Sequence, residues 1–231
     1  LTCSNLDVLL YSNLSTGSYS INATGDAEVN GTLNASLGGD QWFDAIFVRS
    51  GGVYEATNGT TTLTGTSNTL LIDSSGTFTH NNGLVKYLAP SAWAGANMGG
   101  TGEGHTLYNL ELDSDSDGQI LITGSNLKVE GNLTITQGLM YPGGGEHTKI
   151  LTVTGDVIVN DGTLGSLPVT ADWSFGSILI NTGGTYIATN GTTTITKRTV
   201  GSYNFNVNGG TFTHNSGTVN ITAGDYFKSD P

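Results

Sequence analysis

The chain has 231 residues, of which 35 are glycine and only 11% are charged, and 7 basic against 19 acidic side chains leave a net charge of -12. That balance excludes a nucleic-acid surface, which needs clustered Lys and Arg, because Lys197 and Arg198 are the only adjacent basic pair. It also argues against an anionic membrane surface, and no apolar run approaches the roughly 18 residues of a membrane span, so no membrane insertion is expected.

In chain order, Cys3 comes first and is the only cysteine. It excludes an internal disulfide framework and reads as an inert or intermolecular thiol. The abrupt start at Leu1 and end at Pro231 predict a processed chain or a piece of a longer repetitive one. Residues 1–87 form a first unit that contains the phrase IFVRSGGVYEATNGTTTLTG at 46–65 and GTFTHN at 76–81. Residues 88–106, rich in small residues and carrying Trp93, Met98 and a GTGEG run, read as a loop excursion. Residues 107–231 form a second unit, in which GGTYIATNGTTTIT and GTFTHN return about 132 residues after their first appearance. An internal duplication of this kind is the signature of a stacked structural unit.

A finer period lies inside each copy. Glycines 25, 52 and 76, and then 131, 155, 184 and 210, stand 24–29 residues apart in each half. Between them, apolar and polar residues alternate, as in LTVTGDVIV at 151–159, which is the pattern of strands with one buried face. Thr, Asn and Gly are poor helix formers. The expectation is an all-β chain: a parallel β-helix (β-solenoid) with turns of about 24–29 residues, internally duplicated, each copy holding four or five whole turns. A single turn cannot offset its own ordering entropy, so stability requires neighbours on both sides. The stretch LYNLELDSDSDGQILITGSNLKVEGNLTITQGLM, running into the loop YPGGGEHT at 141–148, resembles the repetitive β-solenoids of bacterial surface adhesins and virus or phage fibres. The resemblance implies an extracellular, cell-surface or virion-surface location.

Candidate sites are few. Asp113, Asp115 and Asp117, followed by Gly118 and Gln119, match the first half of a calcium loop, where alternate carboxylates converge on one cation. The twelfth position is Gly124 instead of Glu, so a solvated acidic turn is the competing reading, and calcium is the only cofactor considered. Asn-x-Ser/Thr triplets begin at Asn13, Asn22, Asn30, Asn34, Asn58, Asn132, Asn190 and Asn220 and are glycan acceptors if the chain passes a glycosylating route; this composition yields most of that number by chance. Repeated Thr-x-Thr pairs, including Thr77/Thr79 and Thr211/Thr213, resemble ice-binding solenoids, but Thr also favours strands for its own reasons.

Polysaccharide cleavage needs paired carboxylates. Asp26 and Glu28 are same-face neighbours, yet little cationic support accompanies them, so no catalytic residue is assigned. Glu103/His105 and Glu146/His147 offer two metal ligands at a time, too few for a site. Trp42 and Trp173, placed before the duplicated phrase, read as packing residues, and Trp93 reads as a glycan contact. The sequence therefore predicts no enzyme but a structural subunit of an extracellular fibre or filament, whose partners are copies of itself stacked end to end. A glycan-binding adhesin or fibre module is the second reading, and a polysaccharide-cleaving β-helix the third.

Overall fold

A computed structural model describes residues 1–66, 68–88, 95–99, 105–114, 120–123, 125–142, 148–165, 170–197, 203–222 and 227–230. Among these there is no helix; short strands wind into a parallel β-solenoid. Three faces recur in order along the chain. The first carries Thr2–Cys3, Asn22–Ala23, Gln41–Phe43, Thr60–Leu63, Leu84–Tyr87 and Asn109–Asp113, then residues 133–137, 157–159 and 178–181, then Phe205–Asn208 and Phe227–Asp230. Consecutive strands of this face pair with one another in parallel. The second face runs from Leu6–Val8 through Ala27–Val29 and Ile46–Val48 to Thr185–Ile187 and Thr211–Thr213. The third runs from Asn13–Ser15 to Thr77–Thr79, and from His105–Leu107 to Thr192–Ile195 and Thr218–Ile221.

Alternation along each strand sends one set of side chains into the bore. Leu33, Phe43, Ile46, Tyr54, Leu63, Leu133, Ile135, Val157, Phe175, Ile178 and Tyr186 are all fully buried there. A parallel ladder covered on its inner face in this way gains stability from apolar burial between turns. Stacked rings extend the packing: Tyr186 lies 5.7 Å from Phe212 and 5.9 Å from Phe175. Among the described residues no helix is long and apolar enough to cross a membrane.

Three expectations from the sequence change. Residues 88–106 do not form a plain excursion, since Gly95–Gly99 extends the second face and His105–Leu107 the third. Small residues without alternation hid those strands. Turn length is also more variable than the glycine spacing predicts: Trp42 aligns with Thr62, a turn shorter than any in that spacing, whereas the turn from Leu179 to Asn206 falls within it. The glycines that suggested the period occupy different corners. Gly25 lies between the first and second faces, Gly52 and Gly76 between the second and third, and Gly131 and Gly155 between the third and first.

The same fact changes the meaning of the duplication. Gln41–Phe43 and Thr60–Leu63 lie on the first face, whereas their copies, residues 173–175 and Thr192–Ile195, lie on the third. The second copy is thus rotated by one face about the solenoid axis. The offset is not a whole number of turns, so identical phrases point in different directions.

Candidate functional site

The outward side of the first face holds the main charged cluster. Lys86 and Glu111 are cross-strand partners, and the Lys86 ammonium donates to Glu111 Oε1 at 3.3 Å and to Asp113 Oδ2 at 2.6 Å. Thr136 donates its hydroxyl to the same Glu111 oxygen at 3.1 Å. Partial burial opposes the ammonium charge, but the hydrogen bonds to Asp113 and Glu111 outweigh it and hold the Lys86 pKa above its ordinary value. Of the predicted calcium ligands, Asp113 is therefore already engaged by a cation of the chain itself. Asp115, Asp117 and Gln119 lie outside the described residues, as do Trp93, Glu103, Glu146 and His147. Among the described residues no group of three or more His, Cys, Asp or Glu side chains is arranged to hold a metal ion.

A second cluster gathers where the third face turns into the first. The His80 ring stacks on Tyr108, one turn on, with centroids 5.6 Å apart. Its Nε2 lies 3.4 Å from Glu130, two turns on, and Glu130 also accepts from Lys128 at 2.8 Å. The Lys128 hydrogen bond and charge, with a smaller contribution from His80, hold the Glu130 carboxyl below its usual range. The other His80 nitrogen, Nδ1, accepts the backbone N–H of Asn82 at 3.0 Å. His214 does the same for Ser216 at 3.0 Å. In both places the two following residues have positive φ: 45° and 61° at Asn81 and Asn82, and 49° and 61° at Asn215 and Ser216. Gly83 and Gly217 then pass so close to the Thr57 and Thr189 carbonyls that a Cβ would collide with them. The repeated T-H-N phrase is thus a left-handed turn closed by its histidine.

Other duplicated residues bind turn to turn. Asp40 Oδ1 accepts the Thr60 N–H at 2.8 Å and Asp172 Oδ1 the Thr192 N–H at 2.7 Å. Sequence reasoning missed this pair, although the two aspartates stand at matching places in the two copies. It also missed an asparagine ladder on the first face, in which Asn181 donates to Asn160 at 2.8 Å and Asn208 to Asn181 at 3.0 Å. Asparagines repeated at turn spacing were the available signal.

The Asp26 carboxyl is raised by partial burial and then by the negative charges of Asp44 and Glu28, while Glu28 is held by Arg49 at 3.0 Å. Of the predicted glycan acceptors, Asn13, Asn22, Asn58, Asn132, Asn190 and Asn220 are exposed, and Asn30 and Asn34 are half-buried. Asn34 Oδ1 accepts from Ser36 N–H and Oγ, and Asn132 Oδ1 from the Asp156 N–H. The threonine pairs do not share a surface, because Thr77 and Thr79 lie on the third face and Thr211 and Thr213 on the second.

The two tryptophans do not match. Trp173 is 1% exposed and donates its indole N–H to the Lys149 carbonyl at 3.2 Å, whereas Trp42 is 44% exposed. At the offset of the duplication the counterpart of Trp173 is Gln41, which is fully buried and accepts the Ile21 N–H at 2.9 Å. A shift of one residue along a strand moves a side chain to the opposite face.

The surface so described is built from short-range stitching between consecutive turns. No family model, no curated protein and no solved structure matches the chain.

Proposed function

We propose that this chain is a structural subunit of an extracellular fibre, on a cell or virion surface, in which copies stack end to end through their solenoid turns. The observation that carries the reading is the turn-to-turn pairing itself, in which the described strands of one turn pair in parallel with those of the next. Among the described residues, Leu6–Val8 and Asn13–Ser15 pair with the following turn alone, and the inward residues Cys3 and Leu14 are partly buried. At the other end, among the described residues, Thr211–Thr213 and Thr218–Ile221 pair only with the preceding turn, and Phe212, Val219 and Ile221 are partly buried. The three-sided section of one turn, with its parallel strand edges and apolar bore, is complementary to another turn of the same section. A contact between unlike ends that does not close into a ring generates a filament. Large exposed apolar residues gather at the first turns, with Leu1, Leu9, Leu10, Tyr11 and Tyr19 between 57% and 96% exposed.

Negative-stain images and sedimentation of the purified chain over a range of concentrations test this reading. Rods one solenoid wide that lengthen with concentration are expected. Discrete monomers at the highest concentration would overturn it.

A further inference from the structure

Trp42 stands apart from the other described aromatic residues of the sheet faces. It is in the middle of Gln41–Phe43 on the first face, between Asn22 on the preceding strand and Thr62 on the following one. Adjacent strands are about 4.8 Å apart and alternate residues along a strand about 7 Å. The outward positions two residues either side of Trp42 are Asp40 and Asp44. The Asn22 amide is thus the register neighbour of the indole, and the two carboxylates flank its strand at the corners, each with one oxygen engaged: Asp40 Oδ1 accepts the Thr60 N–H at 2.8 Å and Asp44 Oδ1 accepts from the Thr64 hydroxyl at 3.5 Å. Thr62, in register between Trp42 and Lys86, is only 2% exposed. Among the described residues neither the Trp42 indole N–H nor the Asn22 side-chain amide has a hydrogen-bond partner, in contrast to the buried indole of Trp173.

We infer that Trp42, with Asn22, Asp40 and Asp44, forms a stacking site for a neutral sugar residue. A sugar ring has an apolar C–H face that an indole covers and a rim of hydroxyls that amides and carboxylates bind, a combination of one aromatic platform with a few placed polar groups. Charge selects among sugars. The nearby carboxylates repel uronates and sulfated or phosphorylated sugars, and the cations that would offset them are engaged: Arg49 with Glu28 at 3.0 Å and Lys86 with Asp113 at 2.6 Å. The site is on the side of the solenoid, away from the stacking ends, so it does not depend on fibre formation.

The test is NMR of the three indole N–H signals, with Trp42 identified from the Trp42→Phe spectrum, on protein made in a host that adds no glycans. The probes are tetrasaccharides of glucose, mannose, galactose and N-acetylglucosamine, with tetragalacturonate and choline as charged controls. At least one neutral tetrasaccharide at millimolar concentration is expected to shift the Trp42 signal saturably. Saturation-transfer measurements should show about tenfold weaker binding in Trp42→Ala and a smaller loss in Asn22→Ala, with melting temperatures unchanged. The inference fails if no neutral sugar shifts the signal, if galacturonate or choline shifts it more strongly, or if both variants bind as the parent does.

Discussion

The hydroxyl of Tyr186 lies 2.8 Å from Oγ1 of Thr193 inside the closed bore. The first copy repeats the contact between Tyr54 and Thr61 at 3.2 Å. Burial pushes both phenol pKa values up, against a smaller opposing effect of the threonine bond, so both tyrosines stay neutral and act as packing groups with one polar atom each. Removing one member strands the other in an apolar core, at about 1–3 kcal/mol, while removing both is nearly neutral. Tyr186→Phe is therefore expected to lower stability by that amount in urea unfolding. Tyr186→Phe combined with Thr193→Val should recover most of the loss, and additive losses would show that the hydrogen bond is not the source.

The tryptophan pair gives a sharper contrast. Trp173→Ala opens the bore beside Phe175 and Tyr186, whose rings lie 6.1 and 6.4 Å from the indole, and should cost about 3–5 kcal/mol. Trp42→Ala removes an outward side chain and should stay within about 0.5 kcal/mol of the parent. Thermal unfolding of the two variants decides the matter, and equal losses would contradict their opposite orientation.

That contrast also marks the limit of what was legible in the sequence. Alternation in stretches such as LTVTGDVIV reported the strands and their buried sides, because burial in the bore acts on each residue locally. The order of the faces was not legible, since it depends on the number of residues in each corner, and corners differ by a few residues without leaving a pattern. A one-face rotation between the copies follows, and with it the separation of Thr77 from Thr211 and of Trp42 from Trp173. The histidines of T-H-N recur with the duplicated phrase GTFTHN, but their task depends on two left-handed residues that composition does not announce. Asp113 could be picked out as an acidic residue, whereas its partner Lys86 comes from the preceding turn.

The histidine turns predict a graded series. Asn, like the His Nδ1 here, accepts the N–H two residues on, so His214→Asn should keep the turn while His214→Ala loses about 1 kcal/mol. At His80 the ring also stacks on Tyr108 and meets Glu130. His80→Ala should then cost more than His214→Ala, and His80→Asn should recover only part of the loss. Chemical unfolding of the four variants checks the order. If both asparagine variants were as weak as the alanine ones, the Nδ1 bond would not be what closes the turn.

Asp26 supplies the pH dependence. Its folded carboxyl is raised from 3.8, first by burial and then by Asp44 and Glu28, so between its unfolded and folded values the native state binds more protons than the unfolded state. Stability then falls as pH rises through that window, and the ionised carboxylate weighs against the fold at every higher pH. Asp26→Asn should accordingly raise the melting temperature at pH 7 by a small amount, since the side chain is exposed and solvent screens it. The gain should vanish as the pH falls below the carboxylate range, where Asp26 is protonated in both states. Salt should shrink the part that comes from Asp44 and Glu28 and leave the part that comes from burial. A melting temperature that drops at pH 7 on this substitution would mean that the carboxylate makes a favourable contact outweighing its burial and its two acidic neighbours.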